Sequence, residues 1–419
     1  MTVKNGFLES GHTPTLLAAL LYFDVSFMVW VLLGPLAPFL REQLHLTATK
    51  QGLLVAVRLL GGSLFRPLLG LLGDRIGGRR AGLLGLALTT LPLLLAWKVA
   101  HTFGQFLMVG LMLGISGASF AVALPLASGW YPAEYQGLAM GIAGAGNSGS
   151  LFATLAAPRL AQRLGWANTF GLMTLPVVLV LAAFGILAKD SPRDRPRMRW
   201  HDYAGLLKEP DTLWFSFLYS LTFGGFVGFT SFLTTFFHDQ YGVSKVRAGD
   251  FTTLVVVSGS LLRPVGGWLA DRLGGYRVLL VLLLGVGGCL AAASRLPPVP
   301  IVLTLLFLAV GCLGMGNGAV FQLVPQRFAG RMGLITGLVG AAGGLGGFFL
   351  PTMLGALRDR FGSYGPGLFV LAAIFLFGTL VLLQLGSVWT LRWHAQAVER
   401  SGLFCYRGRA RASFDQETA

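Results

Sequence analysis

Apolar runs close to the length of a bilayer crossing recur from the first twenty residues almost to the end of the 419-residue chain, and this limits the possible fold more than any other feature. About 20 consecutive apolar residues cross a hydrocarbon core as a helix, which satisfies its own backbone hydrogen bonds where no water can. Reading the runs against their polar breaks predicts helices near 15–40, 51–73, 81–99, 103–129, 138–161 and 166–188. Six more follow near 212–237, 250–270, 278–295, 300–323, 332–356 and 365–388. No gap between them is long enough for a soluble domain. The first run lacks a basic cluster before it, is too long for a signal-peptide core and has no clear cleavage pattern, so it reads as a retained helix.

Charge supports the same class. Only 12% of residues are charged, about half the usual share for a soluble domain. The net charge of +15 could suggest a nucleic-acid partner, but placing the basic residues relative to the helices explains it better. With both termini in the cytoplasm, Lys4, Arg75, Arg79, Arg80, the arginines of 189–211, Arg272, Arg277, Arg327, Arg331 and the tail arginines lie on one side, as the positive-inside rule requires. Nucleic acid is therefore not an expected partner; the lipid bilayer is. Cys289, Cys312 and Cys405 have no paired spacing, which suggests neither a disulfide framework nor a zinc site.

The chain contains an internal repeat. Ser63-Leu-Phe-Arg-Pro-Leu-Leu-Gly-Leu-Leu-Gly-Asp-Arg-Ile-Gly-Gly aligns with Ser260-Leu-Leu-Arg-Pro-Val-Gly-Gly-Trp-Leu-Ala-Asp-Arg-Leu-Gly-Gly at a constant offset of 197. The offset pairs Arg66 with Arg263, Pro67 with Pro264, Asp74 with Asp271 and Arg75 with Arg272. Weaker echoes pair Gly114 and Gly117 with Gly311 and Gly314. Two parallel repeats imply a pseudo-two-fold axis along the membrane normal, with a path between the halves. The expected fold class is an all-α membrane protein with twelve transmembrane helices in two pseudo-symmetric six-helix bundles. Its expected divisions are an N-terminal bundle over 1–188, a cytoplasmic linker over 189–211, a C-terminal bundle over 212–388 and a basic cytoplasmic tail over 389–419.

Arg66 and Arg263 fall inside helices, where a charge costs at least about 2.5–3.5 kcal/mol on insertion scales. Few helical acids are available to neutralise them. Because the repeat sets them on equivalent faces, the missing counter-charge is expected to be a substrate. A guanidinium offers paired, coplanar donors, which match a planar oxyanion better than an ammonium does. Arg58 has no partner in the repeat and reads as structural, snorkelling or bonded to helix carbonyls. Asp24, inside the first helix, is costly unless paired or protonated. It is the candidate for proton coupling, or else a structural partner of an arginine or hydroxyl. No nucleophile, metal cluster or cofactor motif is seen in the helices, so neither an enzyme nor a cofactor is expected.

The stretch Gly70-Leu-Leu-Gly-Asp-Arg-Ile-Gly-Gly-Arg-Arg80 resembles the loop signature of the major facilitator superfamily, with Gly267 to Arg277 as its degenerate partner, and the resemblance covers the whole chain. It implies the major facilitator fold and a gating role for Asp74, Arg75, Asp271 and Arg272. Ala143-Gly-Ala-Gly-Asn147-Ser-Gly149 and Ala341-Ala-Gly-Gly-Leu-Gly-Gly347 are similar to the two signature segments of the nitrate/nitrite porter family. Phe120-Ala-Val-Ala-Leu-Pro-Leu-Ala-Ser128, Trp130-Tyr-Pro132 and Gly316-Asn-Gly-Ala-Val-Phe-Gln-Leu-Val-Pro325 extend that resemblance. It implies that Arg66 and Arg263 clamp the anion, Asn147 adds a donor, and Tyr219 and Phe223 wall the site. Gly141, Gly144, Gly146, Gly149, Gly337, Gly340, Gly343 and Gly344 would let helices slide or bend. The implied activity is secondary transport of nitrate, and of nitrite, across the bacterial cytoplasmic membrane by a monomer. Asp24 tilts the expectation toward nitrate/proton symport, with nitrate/nitrite antiport as the alternative. An exporter of organic solutes or a membrane nutrient sensor stand further off.

Overall fold

The computed structural model describes residues 7, 9–191, 205–328 and 332–403. Lys4, the arginines at 193, 195, 197 and 199, Arg331, Cys405 and the tail beyond 403 lie outside the described residues. Twelve helical rods make up the body: α1 (Thr13–Leu44), α2 (Ala48–Ile76), α3 (Gly78–Lys98), α4 (Phe103–Ser128), α5 (Ala133–Gly144, a 3₁₀ turn Ala145–Ser148, and Gly149–Leu164) and α6 (Trp166–Leu187) form the first half. The second contains α7 (Pro210–Tyr241), α8 (Lys245–Leu273), α9 (Gly275–Ala293), α10 (Val299–Phe328), α11 (Met332–Phe361) and α12 (Gly365–Arg392), followed by the short α13 (Ala395–Ser401). Among the described residues, eleven rods are long and apolar enough to cross a membrane. The exception, α5, is interrupted by its 3₁₀ turn and contains Asn147, Arg159 and Arg163.

Helix ends extend past the apolar runs because side chains cap them. Thr47 accepts from the Lys50 amide at the start of α2, and Ser244 from the Arg247 amide at the start of α8. α8 therefore begins at Lys245 rather than near 250. Helix also extends into the stretch expected to be tail. Trp389 is fully buried in α12 and stacks on Trp393 at 4.8 Å. Both indoles donate to Asp211, at 2.9 and 3.3 Å, and Arg327 Nε donates to the same carboxylate at 2.6 Å. This cluster ties α12 and α10 to the start of α7, within the stretch expected to be linker.

The repeat is visible in the backbone. Gly77 (φ +91°) closes the α2–α3 turn and Gly274 (φ +86°), 197 residues on, closes the α8–α9 turn. Both sit where a side chain would be strained. Glycine also sets the close helix crossings: a Cβ at Gly114 on α4 would run into the backbone of Gly61 and Gly62 on α2, and one at Gly314 on α10 into Gly259 on α8.

Polar bridges between the halves gather on the face opposite the termini. Arg41 pairs with Asp239, which also accepts from the Tyr364 hydroxyl, and Lys245 pairs with Glu42. Arg159 pairs with Asp250 at 2.7 Å, Gln51 donates to Thr235 at 3.0 Å, and Asp359 accepts from the amides of Ala48 and Thr49. The halves are thus closed together on that face.

The α2–α4 crossing makes a direct test. Gly114→Ala should destabilise the detergent-solubilised protein by about 1–3 kcal/mol, the usual cost of overpacking. Gly104→Ala, where the added carbon meets nothing within 4 Å, should be neutral or slightly stabilising in thermal unfolding.

Candidate functional site

The interior between the halves is built around Arg66 on α2. Its side chain is 5% exposed, yet its partners are neutral: Nε donates to the Gly117 carbonyl of α4 at 3.1 Å, and Nη1 donates across the halves to the Gly340 carbonyl of α11. Aromatic faces complete its surroundings, with the Trp30 ring centroid at 5.3 Å and that of Phe223 at 5.2 Å from the guanidinium carbon. Cations are attracted to such faces by the ring quadrupole, but the ring supplies no counter-charge.

Arg263 on α8 is half-buried and lies within electrostatic reach of Arg66. Tyr219 links the two: its phenol lies within electrostatic reach of both Arg263 and Arg66. Tyr219 and Phe223 stack with centroids 5.1 Å apart and planes only 3° from parallel. Phe321 of α10 meets Tyr219 edge-on at 4.9 Å. Two guanidiniums, a phenol and parallel ring faces therefore come together between the halves. No ion pair to either arginine is present among the described residues.

Local backbone geometry aims these groups. α7 passes through a π-helical turn, Ser220–Gly224, immediately after Tyr219. Such turns inside α-helices are frequent at functional sites. The turn is accommodated by the small residues of α11: Ser220 donates to the Ala342 carbonyl at 2.8 Å, and a Cβ on Gly224 would meet Gly347 N at 2.7 Å and Gly343 O at 2.8 Å. A Cβ on Gly343 would meet the Tyr219 ring at 2.6 Å and the Phe223 ring at 3.0 Å. Gly344 packs on Ser63, and Gly340 supplies the Arg66 acceptor. Gly337 is half-buried on the same helix.

On α5 the glycines divide into two groups. Gly146 and Gly149 press against α1 at Phe23 and Asp24, whereas beside Gly141 and Gly144 the space is open. Asn147, on the intervening 3₁₀ turn, is buried, and its Oδ1 has no protein partner. Asn317 on α10 is in the same condition. Asp24 is held by a neighbour from α5, since Ser148 Oγ donates to its Oδ1 at 2.6 Å. A hydroxyl is thus the partner Asp24 has in this structure.

The loop residues lie at the far end of the helices. Asp74 is half-buried, and Arg75, Asp271 and Arg272 are exposed, with the Arg272 guanidinium over the Trp268 ring at 4.2 Å. Asp190, at the end of α6, accepts from the Arg79 amide at 2.8 Å beside Gly77. Sequence reading overlooked Trp30 and Phe321, which sit in apolar runs as any core aromatic does, and the Gly117 and Gly340 carbonyls, which no residue type announces.

Comparison with known proteins gives concordant matches. The description "Major Facilitator Superfamily" matches residues 18–351. "Probable nitrate/nitrite transporter NarK2" of Mycobacterium tuberculosis (strain ATCC 25618 / H37Rv) is 37% identical over 376 residues, covering 87% of this chain and 94% of that one. "Nitrite extrusion protein" of Bacillus subtilis (strain 168) is 34% identical over 351 residues, covering 83% and 88%. The crystal structure of a D-xylose-proton symporter superposes with a TM-score of 0.74 at 16% identity, over 88% of this chain and 97% of that one, which is a likeness of fold.

The packing of α11 on the aromatic pair is testable. Gly343→Ala should push Tyr219 and Phe223 apart and weaken nitrate binding by the purified protein about tenfold, the equivalent of roughly 1.4 kcal/mol. Gly141→Ala, facing open space, should leave binding unchanged in the same titration.

Proposed function

The chain belongs to the Major Facilitator Superfamily and, within it, to the nitrate/nitrite porters, and from that premise we propose that it carries nitrate and nitrite across the bacterial cytoplasmic membrane by alternating access. One observation supports the anion site above the rest: the buried Arg66 and the half-buried Arg263 lie within electrostatic reach of each other with no ion-pair partner among the described residues. Like charges so placed raise the energy of the empty site, and a singly charged oxyanion between them lowers it. The donor forks suit the oxygen edges of a flat anion. Tyr219 contributes a hydroxyl, Phe223 a wall, and Asn147 a polar group on the opposite half. The glycines of α5 and α11 supply the surfaces on which the halves rock, and Asp74, Arg75, Asp271 and Arg272 act on the gate at the terminal face.

Coupling follows from the same charges. Closing an empty cavity around two arginines is unfavourable, so reorientation is favoured when an anion is bound. That supports exchange of nitrate for nitrite. The symport reading needs Asp24 to gain and lose a proton in concert with the arginines, but the groups acting on Asp24 are the Ser148 hydroxyl and the Gly149 backbone, with neither arginine among them. Asp24 then fastens α1 to α5. The transporter works as a monomer in the lipid bilayer, with both termini in the cytoplasm.

Reconstitution into liposomes tests this reading. Nitrate influx should be rapid with nitrite inside and slow when the lumen holds no transported anion; influx driven by a pH gradient alone would favour symport, and no anion-dependent flux under any condition would remove the assignment. Arg66→Lys or Arg263→Lys keeps the charge and loses the fork, so each should lower kcat/KM for nitrate by about tenfold or more, the scale of a charge-assisted hydrogen bond. Asp24→Asn should leave exchange within about threefold of the parent rate, because the amide can still accept from Ser148.

A further inference from the structure

Arg58 is the other fully buried arginine of α2, and neither the repeat nor the site uses it; the register-matched residue is Val255. It lies eight residues before Arg66, about 12 Å nearer the face opposite the termini. Its Nη1 donates to the Trp30 carbonyl at 2.7 Å, and the Trp30 indole donates back to the Arg58 carbonyl at 2.9 Å. The Trp30 carbonyl lies just before the break of α1 at Leu32. Nη2 donates to Ser231 Oγ on α7, across the boundary between the halves. Nε is buried with no partner, and no carboxylate pairs with the guanidinium among the described residues. Trp30 lies between the two cations, its ring centroid 5.6 Å from Arg58 and 5.3 Å from Arg66.

We propose that Arg58 is a second anion-binding residue, an outer station through which nitrate or nitrite passes on its way to Arg66 and Arg263. This rests on the anion-transport reading above. A structural arginine at this depth would be expected to have a carboxylate or a full set of acceptors. Arg58 has neither, and one of its three bonds joins parts that must separate. When the face opposite the termini opens, α7 withdraws from α2 and the Ser231 bond breaks. Nη2 then joins Nε as an unpaired donor edge of a cation, directed into the opened vestibule. An anion arriving there takes the place of Ser231. As the halves close again Ser231 returns, displaces the anion from Arg58, and leaves it on the far side of Trp30, at the central pair. Arg58 thus alternates between two partners, and its charge draws the anion in from one face only.

The test compares transport from the two faces, in right-side-out and inverted vesicles whose sidedness is verified by a tag at the C-terminus. Arg58→Gln keeps donors for Trp30 and Ser231 but removes the charge. It should raise the nitrate KM from the face opposite the termini about tenfold or more, with kcat and the KM from the terminal face within about twofold of the parent. Ser231→Ala removes the group that competes with the anion and keeps the guanidinium, so its KM from the same face should fall or stay level, with no rise beyond about twofold. An unchanged KM in Arg58→Gln, an equal rise from both faces, or a rise in Ser231→Ala as large as that in Arg58→Gln would each overturn the outer station. Where Arg58→Gln does not fold, a rise of about tenfold in the Ser231→Ala KM from that face overturns the outer station by itself. No nitrate flux in the parent protein would overturn the transport reading together with this one, whereas normal parent flux with an unchanged Arg58→Gln overturns this one alone.

Discussion

A guanidinium among membrane helices is tolerated only where something answers its charge or its donors, and the centre of this protein holds two, the buried Arg66 and the half-buried Arg263, that are answered among the described residues by neutral groups alone. Arg66 reaches the carbonyls of Gly117 and Gly340 and the faces of Trp30 and Phe223, while Arg263 lies beside the Tyr219 phenol. Each contact satisfies donors or polarises a ring without supplying negative charge. The low polarity of the surroundings strengthens the mutual repulsion and also the attraction of any anion that comes between them. The packing of the helices brings these two side chains within electrostatic reach of each other.

That placement depends on close approach. α2 and α4 touch through Gly61 and Gly114, and α8 and α10 through Gly259 and Gly314, which lets the arginine-bearing helices sit next to the axis rather than behind a layer of side chains. The π-helical turn of α7 lies against the small residues of α11, and Gly343 leaves just enough room for the stacked Tyr219 and Phe223. At the face opposite the termini, ion pairs and hydrogen bonds from Arg41, Glu42, Gln51 and Arg159 hold the halves together. Apart from the buried Gln51–Thr235 bond they are reached by solvent, the kind of contact that a rocking motion can break and remake.

The fold was legible in the sequence because its determinants are written in residue type. Apolar length gave the twelve rods, and a register of 197 residues gave the axis and the pairing of Arg66 with Arg263, later matched by the positive φ of both Gly77 and Gly274. Less legible were features whose determinants lie in three dimensions. The helix ends run on into polar turns because Thr47 and Ser244 cap them, which a hydropathy pattern does not register. Arg66 finds its acceptors in backbone carbonyls, and Trp30 resembles any other aromatic in an apolar run until its two guanidinium neighbours are seen. Asp24 reads from sequence as a proton carrier or a structural partner, and the Ser148 hydroxyl that meets it becomes visible only in three dimensions. Arg58 read as structural, which its contact with the Trp30 carbonyl supports, but its bond to Ser231 crosses between the halves.

The central claim is that the two arginines share one anion on the pseudo-axis. Determining the structure of the purified protein in the presence of nitrate tests it most directly. Flat density between the Arg66 and Arg263 guanidiniums, bounded by the Tyr219 and Phe223 rings, is the predicted result. Nitrate bound elsewhere, with Arg66 still on Gly117 and Gly340 and no ligand shared with Arg263, would contradict it.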